Sequence, residues 1–200
     1  MSLKVSISKG NSKLGAIPSV SLPACITCNP DAPCFKLCYA AKITRLYKNV
    51  KTAYDNNLNI LNTDWNLYWD QVRDAVAMTR YFRFHVSGDI PNAAYFKEMV
   101  ITAHMYPDTT LLAFTKQHDV VNSYINVFGK LPSNLKVILS NWGDWKCDNP
   151  HGLPVCEVIL KGSEPEPEWK ICGGNCTECA CRGVGCWELQ HWETIAIYQH

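Results

Sequence analysis

A chain of 200 residues with a formal net charge of +1 is long enough to build an ordinary hydrophobic core and reads as a single domain over residues 1–200. Its charged residues are sparse and balanced in sign, so no basic tail marks it as a nucleic-acid backbone binder, and no apolar run is long enough to span a membrane. No secretory signal peptide opens the sequence, which predicts a cytoplasmic protein whose 11 cysteines are not disulfide-bonded; an odd number cannot all pair within one chain in any case.

In chain order, Leu3 to Ser8 reads as a short strand and is followed by a Gly/Ser/Pro loop. A cysteine-rich segment over about 25–38 comes next, its backbone kept irregular by Pro23, Pro30 and Pro33. From about Cys38 to Asn62 the apolar residues Leu46, Val50, Ala53, Tyr54, Leu58 and Leu61 recur at helical spacing. A break at residues 62–64 offers Thr63 or Asp64 as the cap of a second helix to about Met78. Tyr81 to Ser87 is a strand by aromatic and β-branched content, and Pro91 opens a helix to about Met105. Thr110–Lys116 is a strand, 118–128 a helix, and Leu135–Ser140 and Val155–Leu160 are further strands. Residues 161–186 read as loop, and Thr194–Tyr198 as a terminal strand. This alternation predicts an α/β fold, a partial TIM-barrel-like parallel sheet of about six βα units with cysteine-rich segments near both ends; a complete eight-fold barrel needs more residues.

The cysteines carry the strongest chemical signal. Cys25-x2-Cys28-x5-Cys34-x3-Cys38 puts four thiols in one short loop, and Cys172-x3-Cys176-x2-Cys179-x-Cys181-x4-Cys186 does the same near the other end, within a second cysteine-rich stretch over 147–186. Close spacing lets thiolates converge at small loop-closure cost. Neither group has zinc-ribbon spacing and neither contains a histidine, a pattern that suits iron–sulfur ligation ahead of structural zinc. The expected ligands are Cys25, Cys28, Cys34, Cys38, Cys156, Cys172, Cys176, Cys179 and Cys186, with Cys147 and Cys181 outside the set.

A second signal lies at the strand ends. Arg83, His85 and Ser87 share one face of their strand, opposite Phe82, Phe84 and Val86. Other strands end in Thr115-Lys116, Ser140-Asn141 and Gln199-His200. Parallel α/β folds collect functional groups at these carboxyl ends, although ordinary strand termination and helix capping would also use such residues. His85, Asp89 and Lys116 are the candidate catalytic groups, the first two as proton donor or acceptor and Lys116 as an anion-binding group. Ser87, Thr115, Ser140 and His200 are candidate cofactor contacts.

The ordered set Cys34-x3-Cys38-Tyr39-Ala40-x-Lys42, Phe84-His85-x-Ser87-Gly88-Asp89, Phe114-Thr115-Lys116, Leu139-Ser140 and Cys186-Trp187 resembles the phage and mobile-element family catalogued as gene product 88-like, some of whose members are labelled rolling-circle replication-associated. The resemblance implies cysteine positions at Cys28, Cys34 and Cys38 and at Cys176, Cys179 and Cys186, with Cys25, Cys147, Cys172 and Cys181 as additions. A more distant, fold-level likeness is to radical S-adenosylmethionine enzymes. Their usual third cysteine would fall at Ala41, and no Gly-Gly-Glu-like run follows a second strand, so adenosylmethionine is not expected as a cofactor.

The reading that results is a mobile-element-encoded protein binding one or two [4Fe–4S] clusters, with redox or cluster-dependent enzyme chemistry left open and an electron donor as its partner. The alternative is a nucleic-acid-binding replication accessory module stabilised by zinc or a cluster, for which Lys36, Lys42, Arg45, Lys48 and Lys51 would supply a local basic patch.

Overall fold

The computed structural model describes residues 3–199. Eight strands form one sheet: β1 (Ile7–Ser8), β2 (Ser19–Val20), β3 (Tyr81–Phe84), β4 (Thr110–Thr115), β5 (Leu135–Ser140), β6 (Val155–Ile159), β7 (Lys170–Ile171) and β8 (Thr194–Tyr198). They lie in the order β1-β2-β3-β4-β5-β6-β8-β7, and every neighbouring pair is parallel except β1–β2. From β2 to β6 each new strand lies beside the one before it, so the carboxyl ends of β2 to β6 share one edge of the fold.

Three helices, α1 (Tyr39–Leu46), α2 (Lys48–Thr63) and α3 (Trp65–Ala77), connect β2 to β3. The helix α4 (Ala93–Met105) connects β3 to β4, and α5 (His118–Phe128) connects β4 to β5. The caps follow from the sequence. Asp64 accepts from the Leu67 amide at 3.0 Å and starts α3, while Asn92 accepts from the Tyr95 amide at 2.9 Å and starts α4 one residue after Pro91.

Period-two alternation sends the sheet's side chains into two cores. Phe82, Phe84, Leu111, Ala113, Val137 and Leu139 pack with Tyr68, Trp69, Tyr95 and Phe96 of α3 and α4. The fully buried Tyr68 and Tyr95 share a hydroxyl–hydroxyl hydrogen bond of 2.9 Å, which satisfies the polar tip of each ring. Leu112, Ile138, Cys156 and Ile195 point to the other face, where they meet Cys176, Ala180, Cys186 and Trp187. The C-terminal cysteine segment is therefore a packed layer against the face of the sheet that α3 and α4 do not cover.

The structure departs from the sequence reading in four places. Pairing in the first strand is confined to Ile7–Ser8. The long helix from Cys38 is broken at Tyr47, whose φ of −115° and ψ of 95° are extended. The β5–β6 crossover carries no helix, so there are fewer regular βα units than six. Residues 161–186 are not all loop: they hold β7, the helix α6 (Cys176–Arg182) and a 3-10 turn at Gly185–Trp187. Asn175 caps α6 by accepting from the Glu178 amide, and Gly183 ends it in the left-handed conformation with φ 60°.

Candidate functional site

The first cysteine segment folds over the carboxyl ends of the parallel strands. Cys25, Cys28, Cys34 and Cys38 line a cavity of about 200 Å³ together with Arg83, His85, Ser87, Asp89, Thr115, Lys116 and Ser140. The strand-end residues singled out from sequence thus share one cavity with the N-terminal thiols. His200 lies outside the described residues.

Asp89 is the brace of this site. Its Oδ1 accepts from the Thr115 hydroxyl at 2.6 Å and from the Ile90 amide at 2.8 Å, and its Oδ2 accepts from the Lys116 amide at 2.8 Å. The Thr27 hydroxyl in turn accepts from the Asp89 amide at 3.0 Å, tying the cysteine loop to β3. Burial raises the Asp89 carboxyl above its ordinary range, and those three donors pull it back only in part. A carboxylate with both oxygens so engaged positions the β4 end and the loop; it is poorly placed to pass protons.

His85 is the opposite case. It is 3 % exposed, and among the described residues neither ring nitrogen has a hydrogen-bond partner. Its backbone is left-handed, with φ 59°, an uncommon conformation for a residue with a side chain. Burial, with the Arg83 guanidinium nearby, pulls its pKa down to about 3, so the imidazole is neutral at physiological pH. The Ser87 hydroxyl and the Arg83 Nε, on the same side of the chain, are likewise buried without partners among the described residues. The polar atoms of these three side chains all border the same cavity.

Burial holds the Cys25, Cys28 and Cys34 thiols in their protonated form. Desolvation and mutual repulsion with Cys38 and Cys34 push Cys25 up to about 11, and desolvation pushes Cys28 to about 12. Cys34 is also raised, against the pull of Lys116. Any metal that binds here must displace these protons. None of the eleven cysteines forms a disulfide.

The C-terminal group lines a different cavity, of about 470 Å³, bounded by Cys172, Cys176, Cys179 and Cys186 with Gly173 and Gly185. The two cysteine groups therefore do not pool their thiols in one place. Cys156 is buried in β6 beneath the second group; Cys181 is exposed; Cys147 packs on the edge of the α3–α4 core. Among the described residues, no group of three or more His, Cys, Asp or Glu side chains is placed to hold a metal ion as it stands. Each set of thiols lines one cavity; structural zinc would require four of them to converge about 2.3 Å from one point.

Over residues 3–183 the sequence matches the model of the family described as gene product 88. The chain belongs to the gene product 88 family. The matched region of this family member contains the whole first cavity and all cysteines of the second except Cys186. No curated protein and no solved structure matches it. Among the described residues no helix is long and apolar enough to cross a membrane.

Two contributors to the site were missed in the sequence. Thr27, between two cysteines, carries no signal of its own. Arg83 did, because the alternation of β3 already placed it on the face of His85 and Ser87.

Proposed function

We propose that this gene product 88 protein is an iron–sulfur protein in which Cys25, Cys28, Cys34 and Cys38 hold a [4Fe–4S] cluster in the first cavity. The observation that carries the reading is that four thiols and the unpartnered His85, Ser87 and Arg83 groups line the same cavity. A polynuclear cluster places its own iron and sulfide between its ligands, so it suits thiols that surround a space. When bound, it would supply one-electron chemistry. Lys116 offsets the negative charge of the thiolates, His85 offers a neutral donor or acceptor to the occupant, and Asp89 holds the Thr115–Lys116 end in place. The sequential order of the parallel strands supports a partial-barrel curl with this cavity at its carboxyl mouth.

The test is anaerobic reconstitution with ferrous iron and sulfide. The expected product is brown and bleaches with dithionite, and the Cys34→Ser/Cys38→Ser variant loses the first-cavity cluster while keeping its fold by circular dichroism. Wild-type protein that stays colourless and takes up zinc would refute the reading.

A second reading, a metal-stabilised nucleic-acid-binding accessory module, is favoured by one observation. Lys36, Lys42, Arg45, Lys48 and Lys51 are all exposed beside the exposed Leu37, Leu46 and Tyr47, and among the described residues only Lys51 forms an ion pair, with Asp55. It requires single-stranded DNA affinity that falls steeply with salt and falls further in Lys42→Ala/Arg45→Ala.

A further inference from the structure

The C-terminal cavity has features that packing alone does not require. Cys172 follows β7, Cys176 and Cys179 lie on α6, and Cys186 lies in the 3-10 turn, so four separate backbone positions direct cysteines to one space. Cys176 and Cys179, three residues apart on a helix, share a face.

One glycine keeps that space open around a sulfur, and a second borders it at ordinary contact distance. A Cβ on Gly185 would stand 3.2 Å from the Cys179 Sγ, and one on Gly173 would stand 3.9 Å from it. Gly185 is also left-handed, with φ 69°, which brings the 3-10 turn back over α6.

A cation faces the group without a carboxylate to balance it. Arg83, on β3, lies close enough for its charge to act on Cys176 and Cys186, and its guanidinium lies over the Phe114 ring at 4.7 Å. Among the described residues no carboxylate is in ion-pair distance of Arg83.

We propose that Cys172, Cys176, Cys179 and Cys186 form a second iron–sulfur cluster site, in a cavity of its own, with Arg83 standing between it and the first. Cys156 lies beneath it as a further thiol. The inference rests on the reading of this chain as an iron–sulfur protein, and it adds that one cluster does not account for its cysteines.

Iron and sulfide are counted per chain after anaerobic reconstitution of the full-length protein, the Cys34→Ser/Cys38→Ser variant and the Cys176→Ser/Cys179→Ser variant. Two sites require about eight irons in the wild type and about four in each variant. A wild type holding about four irons, all retained in Cys176→Ser/Cys179→Ser, overturns the second site and leaves the first reading standing. About four irons retained in Cys34→Ser/Cys38→Ser and lost from the C-terminal variant does the reverse. Zinc in the C-terminal site, shown by its loss from Cys176→Ser/Cys179→Ser alone, overturns the proposal. If the C-terminal variant does not fold, the wild-type count decides, because a single cluster cannot supply about eight irons.

Discussion

Acidification gives a direct probe of His85 that does not depend on what occupies the cavity. In the metal-free folded protein its pKa is near 3, whereas an unfolded chain returns it to about 6.5. Between those values the unfolded state binds a proton that the folded state refuses, so stability falls as the pH falls. Integrating the two titrations, His85 alone removes about 2 kcal/mol between about pH 7 and about pH 5. Asp89 acts with the opposite sign. Its raised folded pKa means the folded state takes up a proton first, which favours folding as the pH falls through the carboxylate range. Asp89 is common to wild type and His85→Asn, so the difference between the two profiles isolates the histidine. The assay is urea unfolding of metal-free wild type and His85→Asn at a series of pH values; Asn tolerates the left-handed backbone that His85 adopts. The wild type should lose about 2 kcal/mol more than His85→Asn over that interval. Parallel profiles would show that His85 is solvated in the folded protein and would remove it from the site.

Two further outcomes test how the site is supported. Asn57 is fully buried and joins α2 to both N-terminal strands, accepting from the Ser6 amide at 2.7 Å and donating to the Ser6 and Ser21 carbonyls at 3.0 Å each. Asn57→Ala should cost about 2–4 kcal/mol in urea unfolding, and a loss below about 1 kcal/mol would mean that water replaces those bonds. Gly88 has φ 76°, and a Cβ there would stand 2.7 Å from both the Leu22 carbonyl oxygen and the Thr27 hydroxyl. Gly88→Ala should destabilise by at least about 2 kcal/mol and lower iron uptake at the first cavity, whereas unchanged uptake would show that the Thr27–Asp89 link does not position the cysteine loop.

The sequence disclosed what depends on periodicity and spacing. β3, β4, β5 and the helices between them were legible because aromatic and β-branched runs alternate with helical patterns and real caps such as Asp64 and Asn92. Both cysteine groups were legible as groups. What stayed hidden depends on long-range contact. Nothing local breaks the helix at Tyr47, since no Gly or Pro marks the spot. α6 was overlooked because its seven residues include three cysteines, which read as loop, although Asn175 and Gly183 bracket it with ordinary capping signals. That the two cysteine groups line separate cavities could not be read from spacing at all. It follows from where the C-terminal segment packs, against Leu112, Ile138 and Ile195 on the sheet face that α3 and α4 leave open.

β3 shows how the two cavities are related. Phe82 and Phe84 commit one face of the strand to the helical core, so their neighbours must point toward the cysteines. Arg83 lines the first cavity while its charge also acts on Cys176 and Cys186 of the second, and His85 turns into the first because its own backbone leaves the strand in a left-handed step. A neutral residue at position 83 would leave two sets of closely packed thiols with less positive field to favour ionisation. A residue unable to adopt φ 59° at position 85 would swing the Ser87–Asp89 loop away from Thr115. The two changes should therefore fail differently. Loss of Arg83 should weaken iron retention at both cysteine groups, whereas misplacement at His85 should disturb the first alone.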